Sequence, residues 1–215
     1  MTIAQLHVSP RQQRQVGHLM QLAIVVVFVV GVVNRNVSII VNALIALAIT
    51  FLPALLERDY RIPLHPALTL WITLAVLLHA VGMVGLYSTV WWWDHVTHTL
   101  SATIVAGVGY TTARVFDKHH DVVSFPQPFL FVYILVFTLG FGVFWEVLEF
   151  TMHSLADSYG FGPLLIQYSL EDTIVDLLFD LVGATLVAIF GTRTLADFAD
   201  TVAAARARVR DVSRR

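Results

Sequence analysis

Residues 172–191 read DTIVDLLFDLVGATLVAIFG, an apolar run that contains Asp172, Asp176 and Asp180 but no Lys or Arg. A predominantly apolar stretch of about 17 to 25 residues can cross the hydrocarbon of a membrane as a helix. The three acids recur every four residues, so they share one helix face. Because an acid in hydrocarbon must be protonated, hydrogen-bonded or bound to a cation, this stretch predicts a membrane helix with a polar face that forms part of a site.

Five further apolar runs accompany this one. The chain of 215 residues is 57% hydrophobic and only 13% charged, whereas an ordinary soluble domain carries about 25% charged residues. These features predict an all-α integral membrane protein, a bundle of about six transmembrane helices in residues 1–191, followed by a basic tail helix at 192–215. The predicted spans lie near 17–33, 37–56, 67–87, 94–115, 128–150 and 172–191.

The first apolar run follows Arg11 and Arg14 and so resembles a signal peptide. It lacks a small-x-small cleavage site at its end, GVVNRN, and we interpret it as a retained first span. The net charge of −2 gives no indication of nucleic acid as a partner. Since the chain has no cysteine, a metal site would have to use oxygen and nitrogen ligands.

The basic residues fall on alternate connections between the predicted spans, a bias that marks cytoplasmic segments. One set of segments carries most of the arginines, while the other carries Arg35 alone. The chain is therefore expected to be a multi-pass protein of the cell membrane with both termini cytoplasmic. Its turns near 34–36, 88–93 and 154–171 would face outward, with the tryptophans at 91–93 and Tyr87 in an interfacial aromatic belt.

This orientation gathers the buried acids and histidines near the outer leaflet. The fourth and sixth spans begin outside and the fifth ends there, so their polar residues lie at similar depths. His79 would lie about 12 Å below the outer end of span three, at a rise of 1.5 Å per residue. Pairs three or four residues apart, such as Asp94 with His98 and Glu146 with Glu149, place one polar face on each helix. We expect these faces to converge, as in metal-binding helical bundles.

The polar layer supplies the candidate site residues. Glu146 and Asp176 lie too deep to act as helix caps, and we assign them to acid–base catalysis. Metal ligation is assigned to four residues, namely Asp94, His98, Glu149 and Asp172. For Asp94 and Asp172 a capping role at a helix start stays open. Additional candidates are His79, His95, His153 and Asp180.

The cofactor expected at this layer is a divalent metal ion. Mixed carboxylate and imidazole ligands without thiolate suit Zn, Mn or Fe, and a carboxylate-only subset suits Mg or Ca. Glycines and alanines on the same helices would allow the close approach that shared ligands need. These small residues are Gly107, Gly109, Gly140, Gly142, Gly183 and Ala184.

Two further segments have two interpretations each. The outer connection 154–171 contains Gly160, Gly162 and Pro163, and it forms either a lid or re-entrant loop over the polar layer or an ordinary interfacial loop. The tail after 192 alternates apolar and Arg-rich faces. That pattern is typical of a helix on anionic lipid headgroups or of a self-associating helix, which would make the protein a homo-oligomer.

Three stretches resemble the YjdF-like family of largely uncharacterised small polytopic membrane proteins: WWWDHVTHTLSATIVAG (91–107), FWEVLEF (144–150) and LEDTIVDLLFDLVGA (170–184). The resemblance covers roughly residues 67–190. It implies a six-span fold and a shared site rather than a reaction. The positions that match the family pattern are Asp94, His98, Glu146, Glu149, Asp172, Thr173, Asp176, Gly183 and Ala184.

Three functions fit these observations. The first is a metal-dependent membrane enzyme that acts on a lipid or lipid-linked substrate from the outer face. The second is a proton- or cation-coupled transporter, favoured by the ladder of Asp172, Asp176 and Asp180 but opposed by the apolar inner halves of the spans. The third is a noncatalytic membrane subunit whose polar layer joins helices, although such contacts typically contribute only about 0.6 kcal/mol.

Overall fold

The computed structural model describes residues 9–62, 64–119, 124–160, 164–165 and 168–213. Nine α-helices and two short π-helical turns make up the secondary structure of this described part. The helices are α1 (Pro10–Val33), α2 (Val37–Thr50), α3 (Leu52–Tyr60), α4 (Pro66–Val81), α5 (Tyr87–Thr89), α6 (Trp93–His119), α7 (Gln127–Tyr159), α8 (Leu170–Leu186) and α9 (Thr192–Ser213). The π-helical turns are Gly82–Leu86 and Val187–Gly191.

The predicted all-α membrane fold is confirmed. Five helical segments are long and apolar enough to cross a membrane: Arg11–Val33, Val37–Tyr60, Pro66–Thr89, Gln127–Tyr159 and Leu170–Gly191. Helix α6, which corresponds to the predicted span 94–115, does not meet this measure of length and hydropathy among the described residues. It carries Asp94, His95 and His98 in its first two turns, and it packs between α4, α7, α8 and α9. Protein neighbours therefore cover much of this polar helix.

Helix α8 has one exposed apolar face and one buried face that carries the acids. Its acids Asp176 and Asp180 are buried. Ile174 and Leu178, each two residues before one of these acids, are about half exposed. An offset of two residues places side chains on nearly opposite faces of an α-helix. The exposed apolar face suits lipid, and the acid face points into the bundle.

The helices pack in two groups. Around α1, α2 and α4, a core forms from Ile24, Ala43, Ala46 and Ala80 with their neighbours. The second core joins α6, α7 and α8 through Ala106, Tyr110, Leu130, Ile134 and Ala184. Alanines at the helix contacts allow close approach in both groups.

Hydrogen bonds from tryptophans link the two groups of helices. The Trp71 indole Nε1 donates to Thr103 Oγ1 at 2.8 Å. The Trp93 Nε1 donates to the Leu78 carbonyl at 3.2 Å. Both bonds join α4 to α6, so they fix the position of the site-bearing helix α6 relative to the first group.

Two of the predicted spans are interrupted. The span predicted at 37–56 divides at Phe51 into α2 and α3, because Pro53 lies in the first turn of α3 and cannot continue the hydrogen bonding of α2. The span predicted at 67–87 ends its regular helix at Val81, and Gly85 then adopts φ 136°. A side chain at Gly85 would be strained at this positive φ, so the break depends on glycine.

Helix α7 continues nine residues past the predicted end of its span at 150 and stops at Tyr159. Gly160, with φ 71°, caps it in the left-handed conformation that favours glycine. The first six residues of the predicted outer connection 154–171 are therefore helical. Beyond Gly160 the structure describes Leu164, Leu165, Tyr168 and Ser169, and the remaining glycine and proline of the proposed lid lie outside the described residues.

The tail helix α9 packs back onto α6. Ala199 and Ala203 are buried, the Leu195 side chain lies beside Gly107, and Lys118 forms an ion pair with Asp200. Part of the apolar face of the tail is thus covered by its own chain. Its predicted contacts with anionic lipid or with a second copy stay predictions.

Candidate metal centre

A close approach of α6 and α8 brings the acids and the histidines together. Gly183 packs directly on α6, where an added Cβ would collide with the Thr99 carbonyl oxygen and stand 2.8 Å from Ala102 Cβ. The Thr99 hydroxyl donates to the Phe179 carbonyl at 3.3 Å. Helices α6 and α8 run parallel from the same side of the bundle. The face of α8 that carries Asp176 and Asp180 therefore packs against the face of α6 that carries Asp94 and His98.

Asp94, His98 and Asp176 offer three ligand atoms that all lie within 4.8 Å of one another. The His98 Nε2 atom is 3.6 Å from Asp94 Oδ1 and 3.9 Å from Asp176 Oδ2. These separations are too long for good hydrogen bonds. With metal–ligand bonds of about 2.1 Å, ligand atoms on one tetrahedral ion would be about 3.4 Å apart. The three groups therefore surround a common point, and their ligand atoms are slightly further apart than the ligand atoms around a bound ion would be.

Asp176 is the most enclosed member of this group. Its exposed fraction is 2%, and its Oδ1 atom has no hydrogen-bond partner among the described residues. The His95 Nδ1 atom lies 3.8 Å from this oxygen. A buried carboxylate oxygen without a partner is costly, and a bound cation would remove that cost.

His95, which was predicted as an additional candidate, lies beside Asp176. Its ring stacks on Phe179 with a centroid distance of 4.4 Å and an interplanar angle of 3°. Trp91 contacts the same ring edge-on, at 6.0 Å. These two aromatic side chains hold the imidazole beside Asp176.

Glu146 and Glu149 border this group from α7. The Thr173 hydroxyl donates to Glu146 Oε2 at 2.7 Å. The Glu146 Oε1 atom is buried with no hydrogen-bond partner in the part of the chain that the structure describes. Glu149 is partly buried and interacts electrostatically with Glu146, His98 and Asp94. Neither glutamate belongs to the tight three-residue group, but both lie at its edge.

Two predicted residues take other positions. Asp172 lies in the first turn of α8, but the cap is Ser169, whose Oγ accepts from the Asp172 backbone N–H at 3.1 Å. The Asp172 carboxylate is thus not the helix cap, and it interacts electrostatically with Asp94. His153 pairs with Asp157 at 3.6 Å on the partly exposed end of α7, and it is not part of the three-residue group.

His79 is fully engaged in a hydrogen-bonded chain instead. The Asn42 amide nitrogen donates to the carbonyls of Ser38 and Leu164, at 2.9 and 2.7 Å. Its oxygen therefore faces His79 Nε2, at 3.1 Å, and must accept from it. The other ring atom, Nδ1, then accepts from the Tyr87 hydroxyl at 2.8 Å. In a neutral His79 ring this arrangement places the proton on Nε2.

The same chain leads to the candidate centre. The Tyr87 oxygen lies 3.4 Å from Thr97 Oγ1. The Thr97 hydroxyl in turn donates to Asp94, whose carbonyl oxygen is 2.8 Å away and whose carboxylate oxygen is 3.4 Å away. Asn42, Tyr87 and Thr97 are not among the predicted site residues. The signal for Asn42 is a single amide in the mainly apolar run VSIIVNALIALAIT, whereas Tyr87 is predicted to lie in the aromatic belt.

The described part of the outer connection is anchored by this chain. The Leu164 carbonyl accepts from Ser38 Oγ at 3.0 Å as well as from Asn42. Leu164, in the connection between α7 and α8, is therefore hydrogen-bonded to α2. The covering lid and the ordinary interfacial loop both stay predictions.

Replacing Asn42 with Leu is expected to lower the free energy of unfolding by about 2 kcal/mol. The variant loses three side-chain hydrogen bonds, each worth about 0.6 kcal/mol in membranes, and leaves the His79 N–H unpaired. Thermal unfolding in detergent measures the change. The control Ser38→Ala leaves Leu164 bonded to Asn42 and should lower the free energy of unfolding by less than half as much. Equal stability of Asn42→Leu and wild type would contradict the hydrogen-bonded network.

Comparison with known proteins places these helices in a family. A family model described as "Predicted membrane protein (DUF2238)" matches residues 16–197, which include every residue of the candidate centre. An uncharacterized protein of Thermotoga maritima is 28% identical over 141 residues, which cover 64% of this chain and 68% of that relative. No solved structure matches. The YjdF-like resemblance is consistent with these findings, and the chain belongs to the predicted membrane protein family DUF2238.

Proposed function

We propose that this protein is a divalent-metal-dependent membrane enzyme that acts on a lipid or lipid-linked substrate at the outer leaflet. The observation that carries the proposal is the group of Asp94, His98 and Asp176, with a buried carboxylate oxygen of Asp176 that has no partner among the described residues. No Lys or Arg occurs between Arg61 and Arg114 or between Lys118 and Arg193. Lys and Arg therefore do not neutralise these acids, and apart from the histidines a metal ion is the remaining strong counter-charge.

In this proposal Asp94, His98 and Asp176 hold the ion. A divalent ion supplies a Lewis acid that polarises an ester or phosphoryl oxygen or activates water. Glu146, with one free oxygen at the edge of the centre, is placed to move a proton to or from a reacting group. Glu149 and Asp172 would complete the ligand set or tune its charge. The nitrogen and oxygen ligands suit Zn, Mn or Fe, and Mg if the imidazole is not used.

The position of the centre favours chemistry on one side of the membrane. Asp94 and His95 keep about a fifth of their side-chain surface exposed, so the centre opens at the predicted outer end of α6. Below it, Ala106, Tyr110 and Ala184 pack into a continuous apolar core. A lipid headgroup at the interface could reach the opening, while an ion would meet a closed path inward.

Coupled transport is the alternative, and one observation favours it. The buried hydroxyls of Thr138 on α7 and Thr111 on α6 lie below the acids and have no hydrogen-bond partner among the described residues. Two isolated hydroxyls would not form a continuous ion path. Flux of protons or divalent cations into sealed vesicles, lost in Asp176→Asn, would support transport over enzymatic action.

Metal analysis of the purified protein tests the proposal. After loading with Zn²⁺, Mn²⁺, Fe²⁺ or Mg²⁺ and removal of free ion, wild type should retain about one ion per chain, and His98→Ala should lose it. His153→Ala is the matched control, because this histidine lies outside the three-residue group, and it should retain the ion. Folded wild type that retains none of the four metals would overturn the proposal.

The enzymatic part has its own measurement. Metal-loaded wild type and His98→Ala are incubated with vesicles of total membrane lipid, and the lipid composition is compared by mass spectrometry. A product that forms only with loaded wild type is expected. Retention of the ion without any change in lipid composition would contradict a lipid substrate while leaving the metal centre in place.

A further inference from the structure

We propose that Asp180 is a positioning residue that holds the His98 imidazole with its proton on Nδ1, so that the Nε2 lone pair faces Asp94 and Asp176. This inference rests on the proposed metal centre and specifies how the chain prepares its one imidazole ligand. Asp180 is the deepest of the three aspartates on α8, and it was predicted only as an additional candidate. The geometry gives it a different task from the other two.

The two ring nitrogens of His98 face different acids. Nδ1 lies 3.3 Å from Asp180 Oδ1, within hydrogen-bond distance. Nε2 points toward the other two acids, at 3.6 Å from Asp94 and 3.9 Å from Asp176. A carboxylate that accepts from one nitrogen places the proton there and leaves the other nitrogen as a free ligand. Asp180 thus belongs to the opposite side of the ring from the candidate ion.

The backbone of α7 holds Asp180 in this position. Gly142 packs against the carboxylate so tightly that an added Cβ would overlap Asp180 Oδ2, with Leu177 Cδ2 only 3.0 Å away. Asp180 is buried, so its side chain has no room to turn toward solvent. The absence of a side chain at Gly142 is therefore part of the same arrangement.

A glycine two residues away provides a matched control. Gly140 lies on the same helix, and a Cβ added there would meet nothing within 4 Å. Alanine at Gly142 should push Asp180 away from His98, whereas alanine at Gly140 should not. Both substitutions add the same methyl group to α7, so a difference between them reports on the contacts with Asp180 and Leu177 rather than on the loss of a glycine.

The test reads the tautomer of His98 directly. Protein labelled with ¹⁵N-histidine is studied without metal, in detergent or lipid, at a single alkaline pH at which the His98 ring is neutral, and the His98 signals are identified by their loss in His98→Gln. Wild type and Gly140→Ala should show the proton on Nδ1. Asp180→Leu and Gly142→Ala should shift the population toward the Nε2-protonated form, while Asp180→Asn, which keeps an acceptor, should stay closer to wild type.

Zn²⁺ affinity is measured on the same variants. Asp180→Leu and Gly142→Ala should bind Zn²⁺ about 10- to 100-fold more weakly than wild type, the usual effect of losing such a partner. Gly140→Ala should bind as wild type does. An Nε2-protonated His98 in wild type, or an unchanged His98 signal in folded Asp180→Leu, would overturn the inference. If Asp180→Leu does not fold, Gly142→Ala decides by the same criterion.

Failure of the metal proposal would look different. Wild type that binds no Zn²⁺ overturns the proposed function, yet the ¹⁵N signals still show whether Asp180 places the proton on Nδ1. If wild type binds Zn²⁺ but the His98 signal does not change when Asp180 is replaced, the metal centre is supported and the positioning role of Asp180 is contradicted.

Discussion

Gly183→Ala is expected to lower the free energy of unfolding by about 3 kcal/mol or to prevent folding, and to abolish metal binding. The added methyl group would collide with the Thr99 carbonyl oxygen and press on Ala102. Extra volume in a packed core typically costs about 1 to 3 kcal/mol. We expect a cost at the upper end of this range because the methyl group would strike helix backbone, which cannot rotate away as a side chain can. Thermal unfolding in detergent and Zn²⁺ retention measure the two effects.

The cost follows from where Gly183 lies. It sits one turn below the acids of α8, so any separation of α6 and α8 at this point moves Asp176 away from His98. Gly107→Ala is the control, since its Cβ would make ordinary contact with Leu195, at 3.6 Å. We expect it to stay within about 0.5 kcal/mol of wild type. Similar losses in both variants would show that α6 and α8 do not depend on this close approach.

Small residues in the sequence predicted close helix packing, and the structure distinguishes among them. A Cβ at Gly183 would strike backbone, one at Gly142 would strike a carboxylate, and one at Gly140 would face open space. The difference depends on how far each helix is rotated about its own axis. That rotation is set by all the contacts of the bundle, so no local pattern of glycines reveals it.

Hydropathy predicted the helices well and their interruptions poorly. Pro53 offered a signal for the break between α2 and α3, because proline cannot continue the hydrogen bonding of the preceding helix. Gly85 offered a weaker one, since glycine is common in membrane helices that do not break. The continuation of α7 to Tyr159 was missed because its last turns are polar, and their burial depends on neighbours rather than on hydropathy.

Helical spacing predicted the pairs within each helix but not the pairs between helices. Asp94 and His98 on α6, and Asp176 and Asp180 on α8, follow from the four-residue repeat. The meeting of His98 with Asp180 depends on the depth at which α8 packs against α6. His79 was placed at a similar depth, yet its hydrogen bonds to Asn42 and Tyr87 engage both ring nitrogens. Depth alone therefore could not decide whether a histidine joins the centre.

Asp176→Leu is expected to stabilise the metal-free protein and to abolish its stabilisation by metal. Asp176 is 2% exposed, and its distances to His98 and His95, 3.9 and 3.8 Å, are too long for hydrogen bonds. Its burial is thus poorly compensated without a cation. A buried polar group without a hydrogen-bond partner costs about 1 to 3 kcal/mol, and Asp176→Leu removes this cost.

The same carboxylate should account for the response to metal. A ligand that binds only the folded state at 100 times its Kd adds about 2.7 kcal/mol to stability. Thermal unfolding with and without Zn²⁺ or Mn²⁺ should therefore show a metal-dependent increase in Tm for wild type and none for Asp176→Leu. Asp176→Asn, which keeps the shape without the charge, should also lose the increase.

The sign of the change in metal-free stability separates a ligand from a structural acid. If Asp176 joined α8 to α6 through its histidine neighbours, its removal would leave a buried imidazole unpaired and lower the Tm. If it serves a cation instead, the metal-free protein gains stability because an uncompensated carboxylate has gone. A lower metal-free Tm for both Asp176→Leu and Asp176→Asn would therefore contradict the ligand role, since the acid would then stabilise the fold in the absence of any ion.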